Sequence, residues 1–548
     1  MLKNYITIAI RTIRRYASHS ILNIAGLAIA LAACIVIFLV LDHEYSYDRY
    51  HPNADRVVQL VKEQSKDGIK GYYVGVPFPA RKALANDFPE LRVTELFTSF
   101  GSQISIVEKE EEPAKRFIED KGVFFVEPNI VDFFALRWLS GTADALANPN
   151  VVAISESKAI KYFGSAEKAM GKRILFDNIL SLQVEGVFVD PPANTDFNFQ
   201  VLPSYKTFTS NVNAWGYGDA IDGWGLSTSN HQVYALLPEG KKAEDYTGQL
   251  QQFAEKYYSQ QSGGKIVHFF RPLSEIHFDA RMGNNGTHVS SKASLRTLMF
   301  IGVLILLMAC INFINLTTAL AARRSKEIGL RKVMGGTVRQ LRLQILTETT
   351  PIVCLSMVFA IVICWFVIPY LKYITDIQQR LELFTPDSIQ FMVVVIVVTS
   401  LLSGYYPSFV LSRYNPINAL KNKINNSSIA GLSLRRVLVV LQFSFSQFLV
   451  IATIIAVTQM NFIRTADLGF DKEAVIILTG NNDSVTVARQ PAFRAALKQL
   501  PEVQQVSFSF DAPSSQNNWT TNFSFDNRSE DQPFDTDIKM ADGAYGET

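Results

Sequence analysis

The sequence predicts an α-helical polytopic membrane protein with five transmembrane helices and a large mixed α/β extracytoplasmic domain. Three observations carry this expectation. Stretches 20–41, 297–322, 351–371, 389–412 and 437–460 contain no Asp, Glu, Lys or Arg, and at 1.5 Å per residue each can cross roughly 30 Å of hydrocarbon. The rest of the chain reads as ordinary soluble protein, so the mean hydropathy of +0.12 averages two unlike kinds of sequence. Finally, the basic residues are concentrated in alternate short loops, as cytoplasmic loops require.

Counting those loops sets the orientation. Lys3, Arg11, Arg14 and Arg15 precede the first stretch with no acid among them, residues 323–350 hold seven basic groups and two acidic ones, and residues 413–436 hold five basic and none acidic. These three pieces are expected in the cytoplasm, and the loop around Lys372 and Arg380 outside. By alternation, residues 42–296 form an external domain, with 27 basic and 32 acidic groups. The net charge of +2 is therefore a cancellation between two faces. It gives no reason to invoke nucleic acid, because topology already accounts for the basic loops.

Taken in order, residues 1–19 place Leu2, Tyr5, Ile6, Ala9 and Ile13 near one helical face, the pattern of an amphipathic helix at the inner interface. The first span, 20–41, contains "LAAC" ending at Cys34, which has the form of a lipoprotein processing site. The apolar "IVIFLVL" that follows favours an uncleaved helix. All four cysteines (Cys34, Cys310, Cys354, Cys364) fall within spans, so no external disulfide framework is implied.

Within 42–296, "HEYSYDRYH" (43–51) lacks the HExxH spacing of a zinc site and reads as a hydrated juxtamembrane turn. "NVVAISESKAIKYFG" predicts a buried strand, a helix capped by Ser155 and a stop at Gly164. "ILSLQVEGVFVDPP" predicts a strand ending at paired prolines, and residues 205–225 read as loops. "GSAEKAMGKR" (164–173) fails as a phosphate-binding loop, since its glycine spacing is wrong and Arg173 stands where Ser or Thr would bind magnesium. No catalytic, cofactor-binding or metal-binding set emerges, and no enzymatic activity is expected of this chain.

Residues 297–412 form a membrane domain of three spans (297–322, 351–371, 389–412) with the basic loop 323–350. Asn312, Asn315, Thr317, Thr318, Gln442 and Gln447 are the polar groups within spans, suited to interhelical hydrogen bonds rather than an ion path. The loop opens with "ARRSKEIGLRKVMGG" (322–336), where Ile328, Leu330, Val333 and Met334 stand among five basic groups and Glu327. Gly335 and Gly336 break this helix, and "TVRQ" predicts a new one with Thr337 and Gln340 as its capping box, leading into Pro351. From residues alone, a loop lying on lipid headgroups and a docking knob stand side by side.

A resemblance separates them. "RRSKEIGLRKVMGG" is similar to the coupling segment of the MacB/FtsX-like family of ABC transporter permeases, whose typical form is EIGxRKxxGA. "AIRTIRRYASHSILNIAGLAIALA" and "EYSYDRYHPNADRV" resemble the family's first-helix region, "NVVAISESKAIKYFG" its extracytoplasmic domain, and "SGYYPSFVLSRYNPINALK" the end of its membrane domain. After a cytoplasmic linker at 413–436, the fifth span and residues 461–548 resemble the start of a second half in duplicated members, with the second external domain incomplete.

The resemblance implies a permease in the bacterial plasma (inner) membrane, N-terminus cytoplasmic, coupling ATP hydrolysis on a separate ATPase to external movement by mechanotransmission, for export, efflux or extraction of a substrate. It implies docking by Glu327, Ile328, Gly329, Arg331, Lys332 and Gly335, with ATP and magnesium on the partner and no cofactor on this chain. Membrane lipids are partners too, and a second permease half or copy and a periplasmic adaptor stay open. The alternative is a non-transporting regulator or sensor whose external domain binds a ligand or wall enzyme.

Overall fold

The computed structural model describes residues 17–66, 68–106, 115–258, 264–283, 285, 288–319, 330, 332–375, 377, 381–412, 429–467, 475–480, 484–513, 515, 519–521, 523–526 and 536–547. The chain divides into two compact units, one of Met1–Ser46 with Ser291–Leu468 and one of Tyr47–Ser290 with Gly469–Thr548.

Among its described residues the first unit contains five helices long and apolar enough to cross a membrane, at Ser20–Tyr45, Lys292–Ala319, Val338–Tyr373, Pro386–Phe409 and Arg436–Thr465. They match the five expected spans with shifted ends. The main departure is the third: instead of a cytoplasmic helix leading into a span at Pro351, one α-helix runs unbroken from Val338 to Val367 with Pro351 inside it. Hydroxyls around the proline are absorbed locally, Thr349 donating to the Ile345 carbonyl (3.0 Å) and Ser356 to that of Ile352 (2.8 Å). The proline itself removes only the amide that would reach the Thr347 carbonyl, a loss tolerated where neighbouring helices pack around the site. The expected amphipathic helix at 1–19 lies outside the described residues over 1–16.

Small residues bring the spans close. A Cβ on Gly404 of the fourth span would lie 2.8 Å from Leu346 and 3.2 Å from the Thr349 hydroxyl on the third. Leu31, Ile35 and Leu39 of the first span form one core with Met357, Ala360 and Cys364 of the third and Met392 and Val395 of the fourth. Phe38 and Phe391 stack at 4.1 Å between ring centres. The amide of Asn315 donates to Gln442 (3.1 Å), joining the second span to the fifth as the intramembrane amides suggested. The four cysteines are free thiols.

The second unit is built on a 13-stranded mixed sheet. In chain order its strands are β1 (Val57–Lys66), β2 (Ile69–Tyr73), β3 (Arg92–Ser99), β4 (Ser102–Ile106), β5 (Lys115–Glu119), β6 (Val123–Val126), β7 (Trp138–Ser140), β8 (Val151–Ser155), β9 (Arg173–Phe176), β10 (Leu180–Phe188), β11 (Val201–Pro203), β12 (His231–Leu236) and β13 (Lys265–Pro272). Their order across the sheet is β13-β1-β12-β3-β6-β11-β8-β10-β9-β4-β5, with β2 beside β1 and β7 beside β10. β8 with β10 and β6 with β11 pair in parallel, while the other pairs are antiparallel.

Both faces of this sheet are covered, which explains the continuous apolar runs. In β6, Val123 and Phe125 enter one core with Phe97, Ile154 and Phe208, while Phe124 and Val126 enter another with Leu96, Phe134 and Tyr234. Alternation sends neighbours to opposite faces, so a strand buried twice must be apolar throughout. The predicted strand at "VVAI" is β8, and the Ser155 hydroxyl caps the helix Glu156–Phe163 by accepting from the Lys158 amide (3.4 Å). Gly164 ends that helix at φ +88°.

Two local expectations are corrected. Residues 205–225 hold a helix at Tyr205–Ser210 and short 3-10 turns at Val212–Trp215 and Gly218–Asp222. Phe208 is fully buried there and Trp215 meets Phe125 edge-on, so core aromatics order a segment rich in loop formers. "HEYSYDRYH" is not hydrated: Asp48 and His51 are 2% and 3% exposed. Asp48 accepts hydrogen bonds from the Thr195 hydroxyl and, at 3.3 Å, the Asp196 amide, and this satisfaction is what allows its burial.

Towards the C-terminus, a helix at Ser484–Leu497 precedes two short strands, β14 (Trp519–Thr521) and β15 (Thr536–Ile538), paired antiparallel.

Candidate functional site

The described part of the turn between the second and third spans is an exposed, hydrogen-bonded knob. Of the predicted docking residues, Glu327, Ile328, Gly329 and Arg331 lie outside the described residues, whereas Lys332 and Gly335 are placed. The amide of Met334 donates to Leu330 (3.0 Å) and that of Gly335 to Lys332 (3.1 Å), closing a last helical turn. Gly335 takes φ +94°, the left-handed stop that a side chain would strain.

One residue past Gly336 the chain starts again. Thr337 accepts from the Gln340 amide (3.3 Å), and the Gln340 side chain accepts from the Thr337 amide (3.0 Å), the reciprocal box read from the sequence. Leu330, Val333 and Met334 are 52%, 62% and 71% exposed. Three large apolar side chains held outward on capped turns are costly in water and useful against a partner.

The sequence reading missed what stiffens the base of this knob. Arg342, one turn into the third span, donates to the Ser412 hydroxyl (3.1 Å) and lies 5.0 Å over the Phe409 ring, both at the end of the helix Pro386–Ser412 that forms the fourth span. Six residues later Glu348 is buried and accepts from Gln344 (2.8 Å). A charge-free stretch beginning at Pro351 left Glu348 out of the expected span, and the continuous helix brings it in. The only signal in the sequence was the i, i+4 spacing of Gln344 and Glu348.

In the sheet unit, several charged groups are taken up by structural contacts. Glu119 is held by Lys158, by Lys161 (2.7 Å) and by the Tyr162 hydroxyl (2.7 Å). Its pKa is lowered, these bonds outweighing the opposing effect of burial, the largest single influence. Burial pushes His268 down to about 4 and Lys62 down to about 8. Gly164 and Gly171, the glycines of the rejected phosphate-loop motif, each sit at positive φ where helical turns stop.

Five apolar helices and a two-faced mixed sheet inserted between the first and second of them define a polytopic membrane protein with a large extracytoplasmic domain. Family comparison then places the chain: a MacB-like periplasmic core domain matches residues 20–253 and an FtsX-like permease C-terminal domain matches residues 299–416, so the chain belongs to the MacB/FtsX-like family of ABC-transporter-type permeases. Such permeases are generally not enzymes themselves and generally work with a cytoplasmic ABC ATPase. No curated protein matches the chain. Among solved structures, a domain of a candidate permease protein from Porphyromonas gingivalis is similar, at 17% identity and a TM-score of 0.35, covering 46% of this chain and 99% of that one.

Proposed function

We propose that this chain is the permease subunit of an ABC transporter in a bacterial plasma membrane, turning ATP binding and hydrolysis on a separate cytoplasmic ATPase into movement of its extracytoplasmic domain. The observation that carries the reading is the knob after the second span, where exposed Leu330, Val333 and Met334 are followed at once by a glycine stop and a capping box. Glu327, Ile328, Gly329, Arg331, Lys332 and Gly335 would dock on the ATPase, which would carry ATP and magnesium. Driving a two-state domain from 1:99 to 99:1 takes about 5.5 kcal/mol of differential binding. A loop resting on headgroups could not supply such a bias, whereas a knob docked on an ATPase could.

Work on a substrate outside the membrane then needs no central pore, and the intramembrane amides of Asn315 and Gln442 are spent on joining two spans. The test is purification of the tagged chain from its native membrane, wild type against Glu327→Lys and Arg331→Glu. The expected result is an ATPase that co-purifies with wild type and is lost, or no longer stimulated, with the reversals. Normal co-purification and stimulation in both reversals refutes the coupling assignment. Substrate efflux from intact cells then separates a transporter from a regulator.

A further inference from the structure

The residues that begin the sheet unit after the first span and those that end it before the second meet in one buried cluster. Tyr47 stacks on His277, ring centres 3.6 Å apart and planes 14° from parallel. His277 reaches Asp196 through Nδ1 (3.3 Å), where an ionised carboxylate can only accept. The Asp196 amide donates to Asp48 (3.3 Å), and the Thr195 hydroxyl donates to the same carboxylate. His51 closes the line, its Nε2 3.5 Å from Asp48 and its Nδ1 accepting from the Ala135 amide (3.0 Å).

The cluster is constrained as well as buried. Asp48 adopts φ +56°, a left-handed conformation, while its amide donates to Asn194 (3.1 Å). Such a backbone persists where surroundings over-determine it. The segment 194–197 thus acts as a bridge: it grips Asp48 on one connecting segment and His277 on the other, and Phe197 beside it enters the core under β6 and β12.

We infer that Tyr47, Asp48, Thr195, Asp196 and His277 form a clasp that makes the two segments joining the sheet unit to the first and second spans move as one and passes that movement to the sheet. These are positioning residues, and their use in transport rests on the coupling reading above. Their mechanical linkage does not, since it needs no ATPase.

Amide hydrogen exchange on the full chain in nanodiscs tests it. Asp48→Asn, and Thr195→Val as the milder volume-matched change, each remove part of the buried bond to the bridge. Both are expected to speed exchange about tenfold at 47–54 and also at 277–283, the distant connecting segment, with β6 unchanged as internal reference. Tyr47→Leu is expected to do the same and Tyr47→Phe, which keeps the ring stack, to restore protection. Faster exchange confined to 47–54 and 194–197, or spread equally over β6, overturns the clasp. Failure of the coupling turn appears instead as ATPase association indifferent to Glu327→Lys, so the two readings fail separately.

Discussion

Lys62 occupies a strand position facing a covered side of the sheet, 7% exposed, with its ammonium donating to Ser227 (2.9 Å) and lying 5.0 Å over the Tyr73 ring. Neither partner neutralises it, so desolvation brings its pKa from 10.5 down to about 8. Below about pH 8 the charge is carried at a cost, and stability rises between about 8 and 10.5, where the unfolded chain still holds a proton the folded one has shed. Lys62→Met is therefore expected to stabilise the sheet unit at pH 7 by about 1–2 kcal/mol, net of the lost Ser227 bond. Urea unfolding followed by β-sheet circular dichroism measures it, and no gain would mean the ammonium is better solvated than its burial indicates. Ser155 is the opposite case, a residue whose role was plain in sequence. Ser155→Ala removes the cap of Glu156–Phe163 and is expected to cost about 1 kcal/mol in the same assay.

At the scale of elements, β13 shows how pairing decides protonation. His268 lies opposite Lys62 across β1, fully buried, with Nδ1 at the Val61 carbonyl (3.0 Å) and Nε2 at the Tyr258 hydroxyl (3.1 Å). A carbonyl takes a proton from the ring and a hydroxyl can supply one, which suits the neutral form. Burial brings the pKa from 6.5 to about 4, so the contribution is complete above pH 6.5 and is lost as pH falls towards about 4. The sheet unit is expected to lose on the order of 3 kcal/mol over that window. His268→Gln should flatten that limb of the pH–stability curve, and an unchanged curve would assign the acid sensitivity elsewhere. The spans show the complementary lesson. Counting charges located the third span but not its start, because Gln344 shelters Glu348 and the helix runs unbroken through Pro351.

For the whole molecule, orientation rests on the basic loops, and a topology reporter tests it. Fusions after Ser46 and after Thr465 are expected to report outside, and fusions after Ala319 and after Ser412 inside. An inside signal after Thr465 removes the fifth crossing, and an inside signal after Ser46 inverts the arrangement and with it the coupling role of the knob. The chain divides into its two units with breaks at Tyr47 and Ser291, and the second unit also takes in Gly469–Thr548.

What the sequence by itself determined is what local rules control: five spans from length and charge, the strand-helix unit at Val151–Gly164, the glycine stop and capping box around Gly335 and Thr337, and a family resemblance carried by ordered motifs. Tertiary structure alone decided which polar residues are buried and why. Asp48 and His51 sit in a stretch that reads as a wet turn, and their burial depends on Thr195 and Asp196, nearly 150 residues away. Arg342 likewise reads as one more cytoplasmic charge until the fourth span brings Ser412 and Phe409 to it. A polar side chain is buried when distant groups complete its hydrogen bonds, and spacing along the chain does not encode those partners.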